Sequence, residues 1–184
     1  MAFDESSVRP AVPGDARAIA EVHVGAWRTT YQSIFPQSVL DALSVETRGA
    51  FWKETLLKPV PESVILVGCD EAGRVVGFAS GGAERTGQLG CDGELYAIYL
   101  DETVRGRGLG TLLVRQVARE LKGLGFSSMA VWVLALNPYR RFYESLGGLS
   151  ISEQELERGG QQFVEVAYGW RDLSVLIPGL NRTR

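Results

Sequence analysis

The chain has 184 residues, 45% of them apolar and 22% charged, with a formal net charge of -3. These are the proportions of an ordinary globular domain, long enough to bury roughly 70% of its unfolded surface without a disulfide or a metal. The acidic balance excludes non-specific nucleic-acid binding over the whole surface, and two cysteines, Cys69 and Cys91, are too few for a disulfide framework or a zinc site. They read as small core residues of a reduced compartment. The first residues lack a basic n-region and an apolar h-region, and no run approaches eighteen apolar residues. A cytoplasmic protein with no membrane partner is therefore expected.

In chain order, Val8 opens a short extended segment that Pro10 and Pro13 close. "PGDARAIAEVHVGAWRTTY" reads as a helix with Asp15 as its cap, and residues 36–57 as a second helical region broken near Ser44. Beyond Pro59 and Pro61, "SVILVGCD" and "RVVGFASG" form a hairpin across Asp70-Glu71-Ala72-Gly73. Strict alternation over residues 94–100 puts Glu94, Tyr96, Ile98 and Leu100 on one face of a strand, and Leu95, Ala97 and Tyr99 on the other. Leu109, Leu112, Leu113, Val117, Leu121 and Leu124 then recur at helical spacing. A buried strand follows over 128–134, a helix over 137–148 ended by Gly147-Gly148, and a closing hairpin across Arg158-Gly159-Gly160. Residues 176–184 are expected to form a flexible tail, leaving an ordered core over about 6–175.

The order strand 94–100, helix 108–124, strand 128–134 requires a parallel pair with a right-handed crossover, while the hairpins on either side are antiparallel. The fold class is α/β or α+β: one domain, a single mixed and mostly antiparallel sheet, with helices on both faces.

"VRGRGLG", residues 104–110, joins a strand's carboxyl end to a helix N-terminus. Such a terminus exposes unpaired N–H groups and partial positive charge, and glycines let the backbone approach an anion. A Rossmann turn is excluded because Gly108-x-Gly110 is followed by Thr111-Leu112-Leu113; a Walker A loop is excluded because no Gly-Lys-Ser/Thr occurs.

The loop's flanks are more specific. "ELYAIYL", "VRGRGLG", "TLLVRQVARELKGLG", "MAVWVLALN" and "FYESLGG", taken together, resemble the Gcn5-related N-acetyltransferase (GNAT) superfamily. Arg105-x-x-Gly108-x-Gly110 fits that family's glycine signature, and "VRPAVPGDARAIAEVHVGAWRTTY" is similar to its first strand and acceptor-side helices. The resemblance implies a single acetyltransferase domain whose donor is acetyl-coenzyme A, with no metal. The pyrophosphate would rest on backbone groups of Arg105, Gly106, Arg107, Gly108, Leu109, Gly110 and Thr111. The two central strands would splay, so that the pantetheine arm pairs with backbone near Ile98, Tyr99 and Leu100. The donor carries roughly four negative charges, which accounts for local arginine in an acidic chain.

Acetyl transfer to an amine poses three problems. An amine of pKa about 10.4 must lose a proton at neutral pH, which a carboxylate takes directly or through water. Glu94 is the first candidate for that base and Asp92 the second. The developing oxyanion needs fixed donors, for which the backbone N–H of Tyr99 or Leu100 would serve. The departing thiolate needs a proton, and the resemblance assigns that role to Tyr143. Asn137 matches the family's cofactor-contacting asparagine but stands six residues before Tyr143 instead of the commoner seven, a displacement of about 100° on a helix.

Trp27, Tyr31, Trp52 and Tyr96 are the aromatic candidates for the acceptor pocket. His23, the single histidine, has no cysteine near it in sequence, so a nucleophilic dyad is set aside. The acceptor is expected to be a small-molecule amine or a protein amino group, and a homodimer is an expectation of the family. The rival reading is a non-catalytic module that senses acetyl-coenzyme A or coenzyme A; a nucleic-acid contact through Arg-Gly-Arg-Gly is the weakest.

Overall fold

In a computed structural model that describes residues 3–177, the elements are β1 (Val8–Pro10), α1 (Ala16–Tyr31), α2 (Gln37–Asp41), α3 (Val45–Leu57), β2 (Val64–Cys69), β3 (Val75–Ala83), β4 (Gly93–Leu100), α4 (Leu109–Gly123), β5 (Met129–Leu134), α5 (Arg141–Ser145), β6 (Leu149–Arg158) and β7 (Gln161–Trp170). The strands form one seven-stranded sheet in the order β1-β2-β3-β4-β5-β7-β6. Only β4–β5 is parallel, because α4 carries the chain from one to the other. This is the expected mixed sheet.

Helices cover both faces. α4 buries Leu109, Leu113, Val114, Val117, Ala118 and Leu121 against Leu66, Leu95, Met129 and Val131. Each larger apolar side chain so buried is worth roughly 1.5–3 kcal/mol. Leu124, expected in that stripe, is instead 46% exposed, because the helix has ended at Gly123. On the opposite face, Ile19, Ala20, Val22 and Trp52 of α1 and α3 close over Val67 and Phe78. A third cluster joins Tyr31, Phe35 and Leu40 to Leu134 and Phe163.

Local chemistry explains several boundaries. Ser44 caps α3, its hydroxyl accepting from the Thr47 N–H at 3.1 Å. Asp15 does not cap α1 with its side chain. Its carboxylate accepts from Arg9 Nη1 and Nη2, at 2.7 and 2.9 Å, and from the Val12 N–H at 2.8 Å, so it ties β1 to the turn before the helix. The helix expected over 137–148 shrinks to the five residues of α5, because a turn occupies Pro138 to Arg140. Of the expected tail, Leu176 and Ile177 are buried in the main core, at 2% and 4% exposure. Residues 178–184 lie outside the described residues.

Two irregularities in β4 shape the molecule's centre. First, Ser80 pairs with Ala97 but Gly81 with Leu95, so Tyr96 is an extra, unpaired residue in a β-bulge. The bulge breaks the strict alternation. Leu95 joins Ile98 and Leu100 on the α4 side, while Ala97 and Tyr99 face α1 and α3. Second, β4 and β5 pair only at Gly93↔Met129 and Glu94↔Ala130. Beyond that point β4 stays with β3 as far as Leu100, and β5 stays with β7 as far as Leu134. The two central strands therefore part, as expected, and expose unpaired backbone on both edges of the gap.

Candidate active site

A cavity of about 910 Å³ occupies this gap. It runs from the glycine loop, between β4 and β5, to the C-terminal half of α1 and the β6–β7 hairpin. Ile98, Tyr99, Leu100, Arg105, Gly106, Gly108, Gly110, Thr111, Asn137 and Tyr143 all line it, as do Glu94, Trp27, Tyr31 and Tyr96. Residues spread over more than a hundred positions of sequence thus meet in one space.

The loop end is made of backbone. Gly108 stands at the N-cap of α4 with φ +92°, a conformation that side-chain-bearing residues rarely adopt, and no side chain caps the helix. The first-turn N–H groups are left for an anion. α4 can sit this close to the sheet because Gly68 has no side chain: a Cβ there would lie 2.7 Å from Leu109 Cδ1. Leu109 is accordingly fully buried and contributes only backbone to the loop. Arg107 turns away from the gap, its guanidinium 5.6 Å from the Phe3 ring centroid, and borders a separate cavity. Arg105 spans the mouth of the gap. Its Nη1 donates to Tyr139 Oη at 3.1 Å and its Nη2 to Thr29 Oγ1 at 2.8 Å, linking α1 to the turn after β5.

Glu94 is not a solvated strand-end residue. Its side chain is 1% exposed and forms a two-pronged ion pair with Arg85: Nη2 donates to Oε1, while Nε donates to Oε2 at 3.0 Å and the Arg85 backbone N–H to Oε2 at 3.2 Å. Both carboxylate oxygens are therefore engaged. Arg85 also lies over the Tyr96 ring, 4.7 Å from its centroid, and the Tyr96 hydroxyl donates to the Ala83 carbonyl at 2.6 Å. Asp92, the second base candidate, is committed elsewhere. Burial alone would raise its carboxyl, but hydrogen bonds from Ser128 and Ser127 outweigh that and hold it well below the carboxylate range. It fastens the start of β4 to the start of β5, accepting from the Ser127 and Ser128 N–H groups at 2.8 Å each.

Tyr143 is 8% exposed and lines the cavity between Phe142 and Tyr168. Burial raises its hydroxyl well above the usual tyrosine value, with a further contribution from Tyr99. The late start of α5 accommodates the shortened spacing to Asn137. That side chain faces the cavity but is shared within the protein: Nδ2 donates to Tyr31 Oη at 3.0 Å, and Oδ1 accepts from the Tyr139 N–H at 2.8 Å. Burial likewise raises Tyr31, helped by Tyr99 and Tyr143.

Trp27 and Tyr31 do share a helical face, with ring centroids 5.0 Å apart, and Phe35 stacks on Trp27 at 5.5 Å. Trp52, in contrast, is 5% exposed in the core beneath α3 and does not line the cavity. His23 stacks on Tyr99 at 4.7 Å; burial, then Arg48, lowers it from 6.5 to about 4. Neither cysteine lines the cavity, and burial raises both thiols.

Sequence reading missed Arg85, Trp132, Gln154, Arg158 and Glu165, which also line the cavity. Arg85 carried no signal because its partner is nine residues away across a bulged strand pair. Gln154, Arg158 and Glu165 belong to the hairpin expected across Arg158-Gly159-Gly160, and only the packing of α1 over that hairpin turns them into a wall.

Known proteins share this fold. A family model described as FR47-like protein matches residues 84–156, which run from the segment before β4 into β6. The chain is 44% identical over 176 residues to the uncharacterized N-acetyltransferase YuaI of Bacillus subtilis (strain 168), covering 96% of this chain and 99% of that one. Among solved structures, a GCN5-related N-acetyltransferase from Rhodopseudomonas palustris superposes with a TM-score of 0.70 at 18% identity, covering 92% of this chain and 97% of that one. The yncA protein of Salmonella typhimurium, solved with its cofactor acetyl-CoA, superposes with a TM-score of 0.66 at 21% identity, covering 90% and 92%. At such identities the likeness to these two is one of fold.

Proposed function

Because the chain belongs to the Gcn5-related N-acetyltransferase superfamily, we propose that it transfers the acetyl group of acetyl-coenzyme A to a primary amine by direct attack. The observation that carries this reading is the joining of an uncapped, glycine-opened helix N-terminus to a strand gap with unpaired backbone edges, in one cavity that also holds Tyr143.

The residues present fit the donor. A Cβ at Gly106 or Gly108 would meet nothing within 4 Å, so the loop surface is open to a pyrophosphate. Backbone groups of Arg105 to Thr111 would hold it, with α4's dipole behind them. The free edge of β4 at Ile98 to Leu100 would pair with the extended pantetheine arm. Arg105, which bridges the gap's mouth, would exchange its neutral partners for phosphate oxygens. When bound, acetyl-coenzyme A supplies the acetyl thioester, whose acyl carbon joins the amine nitrogen as sulfur departs.

Tyr143 would give the departing sulfur its proton. Its raised hydroxyl stays protonated throughout the neutral range, so the proton is present when needed. Glu94 would receive a proton from the amine through water, since Arg85 already occupies both of its oxygens. Direct attack is favoured over a covalent enzyme intermediate because neither cysteine borders the cavity.

The test is to incubate the protein with acetyl-coenzyme A and a broad panel of amines and to follow free thiol. Acceptor-dependent thiol release is expected. Saturable acetyl-coenzyme A binding without release across the panel would identify a sensor of the donor instead.

A further inference from the structure

Five ionisable side chains other than tyrosines line the cavity: Arg85, Glu94, Arg105, Arg158 and Glu165. Four of them are accounted for. Arg85 and Glu94 neutralise each other. Arg105 is held by Tyr139 and Thr29, and Arg158 stands over the Trp27 ring, 5.6 Å from its centroid. Glu165 differs. Among the described residues it has no ion pair, and its side-chain hydrogen bond comes from a neutral amide, Gln154 Nε2, at 3.0 Å.

Its position is specific. Register sets Glu165 opposite Leu134 of β5, four residues past Ala130, where the last β4–β5 pairing occurs. It therefore faces the opened part of the gap. Strand alternation puts it on the same face as Phe163, which packs with Tyr31, Phe35 and Leu134. Its charge also reaches Tyr31, adding to the burial that raises that hydroxyl, and Tyr99, where Arg48 and Arg158 act in the opposite direction. A half-buried carboxylate among aromatic rings, without a cation of its own, is a place for an incoming cation.

On the acetyltransferase reading above, we propose that Glu165 anchors the ammonium of the acceptor before it is deprotonated. We further propose that the acceptor carries hydrocarbon, and no carboxylate, on the carbon next to its nitrogen. A carboxylate there would be brought against Glu165. Arg158, the cation on this side of the cavity, is stacked over the Trp27 ring. It joins β6 four residues from Gln154, about 13 Å along the backbone at 3.3 Å per residue, so Glu165 is the charge next to its own position. The aromatic wall favours an alkyl or arylalkyl chain.

The experiment compares each amine that turns over with its carboxylated counterpart, for example phenethylamine with phenylalanine and isopentylamine with leucine, at saturating acetyl-coenzyme A. The wild-type chain should favour the uncarboxylated member by about tenfold or more in kcat/KM. Glu165→Gln should raise KM for that member about tenfold, leave kcat within about threefold, and bring the two members within about threefold of each other. Glu165→Asp should fall between the two, and an unchanged acetyl-coenzyme A affinity in each variant certifies the fold. A wild-type preference for carboxylated acceptors, or a KM and a preference that Glu165→Gln leaves unmoved, overturns the anchor alone. Binding of acetyl-coenzyme A with no thiol release from any amine overturns the acetyltransferase reading itself.

Discussion

The two ends of the cavity are made of different materials. At the glycine loop the functional groups are backbone: uncapped N–H groups of α4 and the unpaired edges of β4 and β5. At the far end they are side chains, drawn from α1, the segment before β4 and the β6–β7 hairpin. A backbone site depends on chain path, which glycine and element order dictate locally. A side-chain site depends on which distant residues the fold brings together, so it can vary while the path stays the same.

The contrast can be tested. The largest effect is expected where the two ends meet: Tyr143→Phe should lower turnover about a thousandfold while acetyl-coenzyme A affinity stays near the wild-type value. A rate near wild type would remove Tyr143 from the chemistry and leave it as a wall.

The core beside the cavity should also respond to pH. His23 has a folded pKa of about 4 against the ordinary 6.5, first because it is buried and then because of Arg48. The unfolded chain therefore takes up a proton at higher pH than the folded one. This stability is fully present above about pH 6.5 and is lost as pH falls toward 4. Denaturant unfolding should show about 2.5 kcal/mol lost between pH 7 and pH 4.5 through this residue, a slope that His23→Phe should flatten.

Arg85→Gln would leave Glu94 buried without its cation. Because the arginine side chain is 61% exposed, the cost is placed below that of breaking a wholly buried pair, at about 2 kcal/mol. Calorimetry should record a fall of about 4–8 °C in Tm. The smallest effect belongs to the backbone end. Gly108→Val strains a residue at φ +92° and narrows the loop, so acetyl-coenzyme A affinity should fall about tenfold, with amine KM little changed. Undiminished donor affinity would move the phosphate site off this loop.

The fold was largely legible in the chain because its signals are local. Periodicity marked the strands and α4, and the strand–helix–strand order required the parallel pair. The failures are local too, and each came from a contact at a distance. The bulge at Tyr96 reversed half of the β4 alternation because β3 skips a residue there. Asp15 left its capping role for Arg9. Trp52, an acceptor candidate by residue type, was drawn under α3 beside Phe78. Within the site, the loop, Asn137 and Tyr143 could be located by spacing. The partner of Glu94 could not, nor could the charge balance that singles out Glu165.

The sequence alone determined the glycine-loop end of the cavity, since three glycines between a strand and a helix leave the backbone few conformations and expose its N–H groups wherever the rest of the chain goes. Only the tertiary structure decided the far end. There the burial of Glu94, its pairing with Arg85 and the exposure of Glu165 to the gap arise from strand register and the covering helix, which bring together residues that have no relation along the chain.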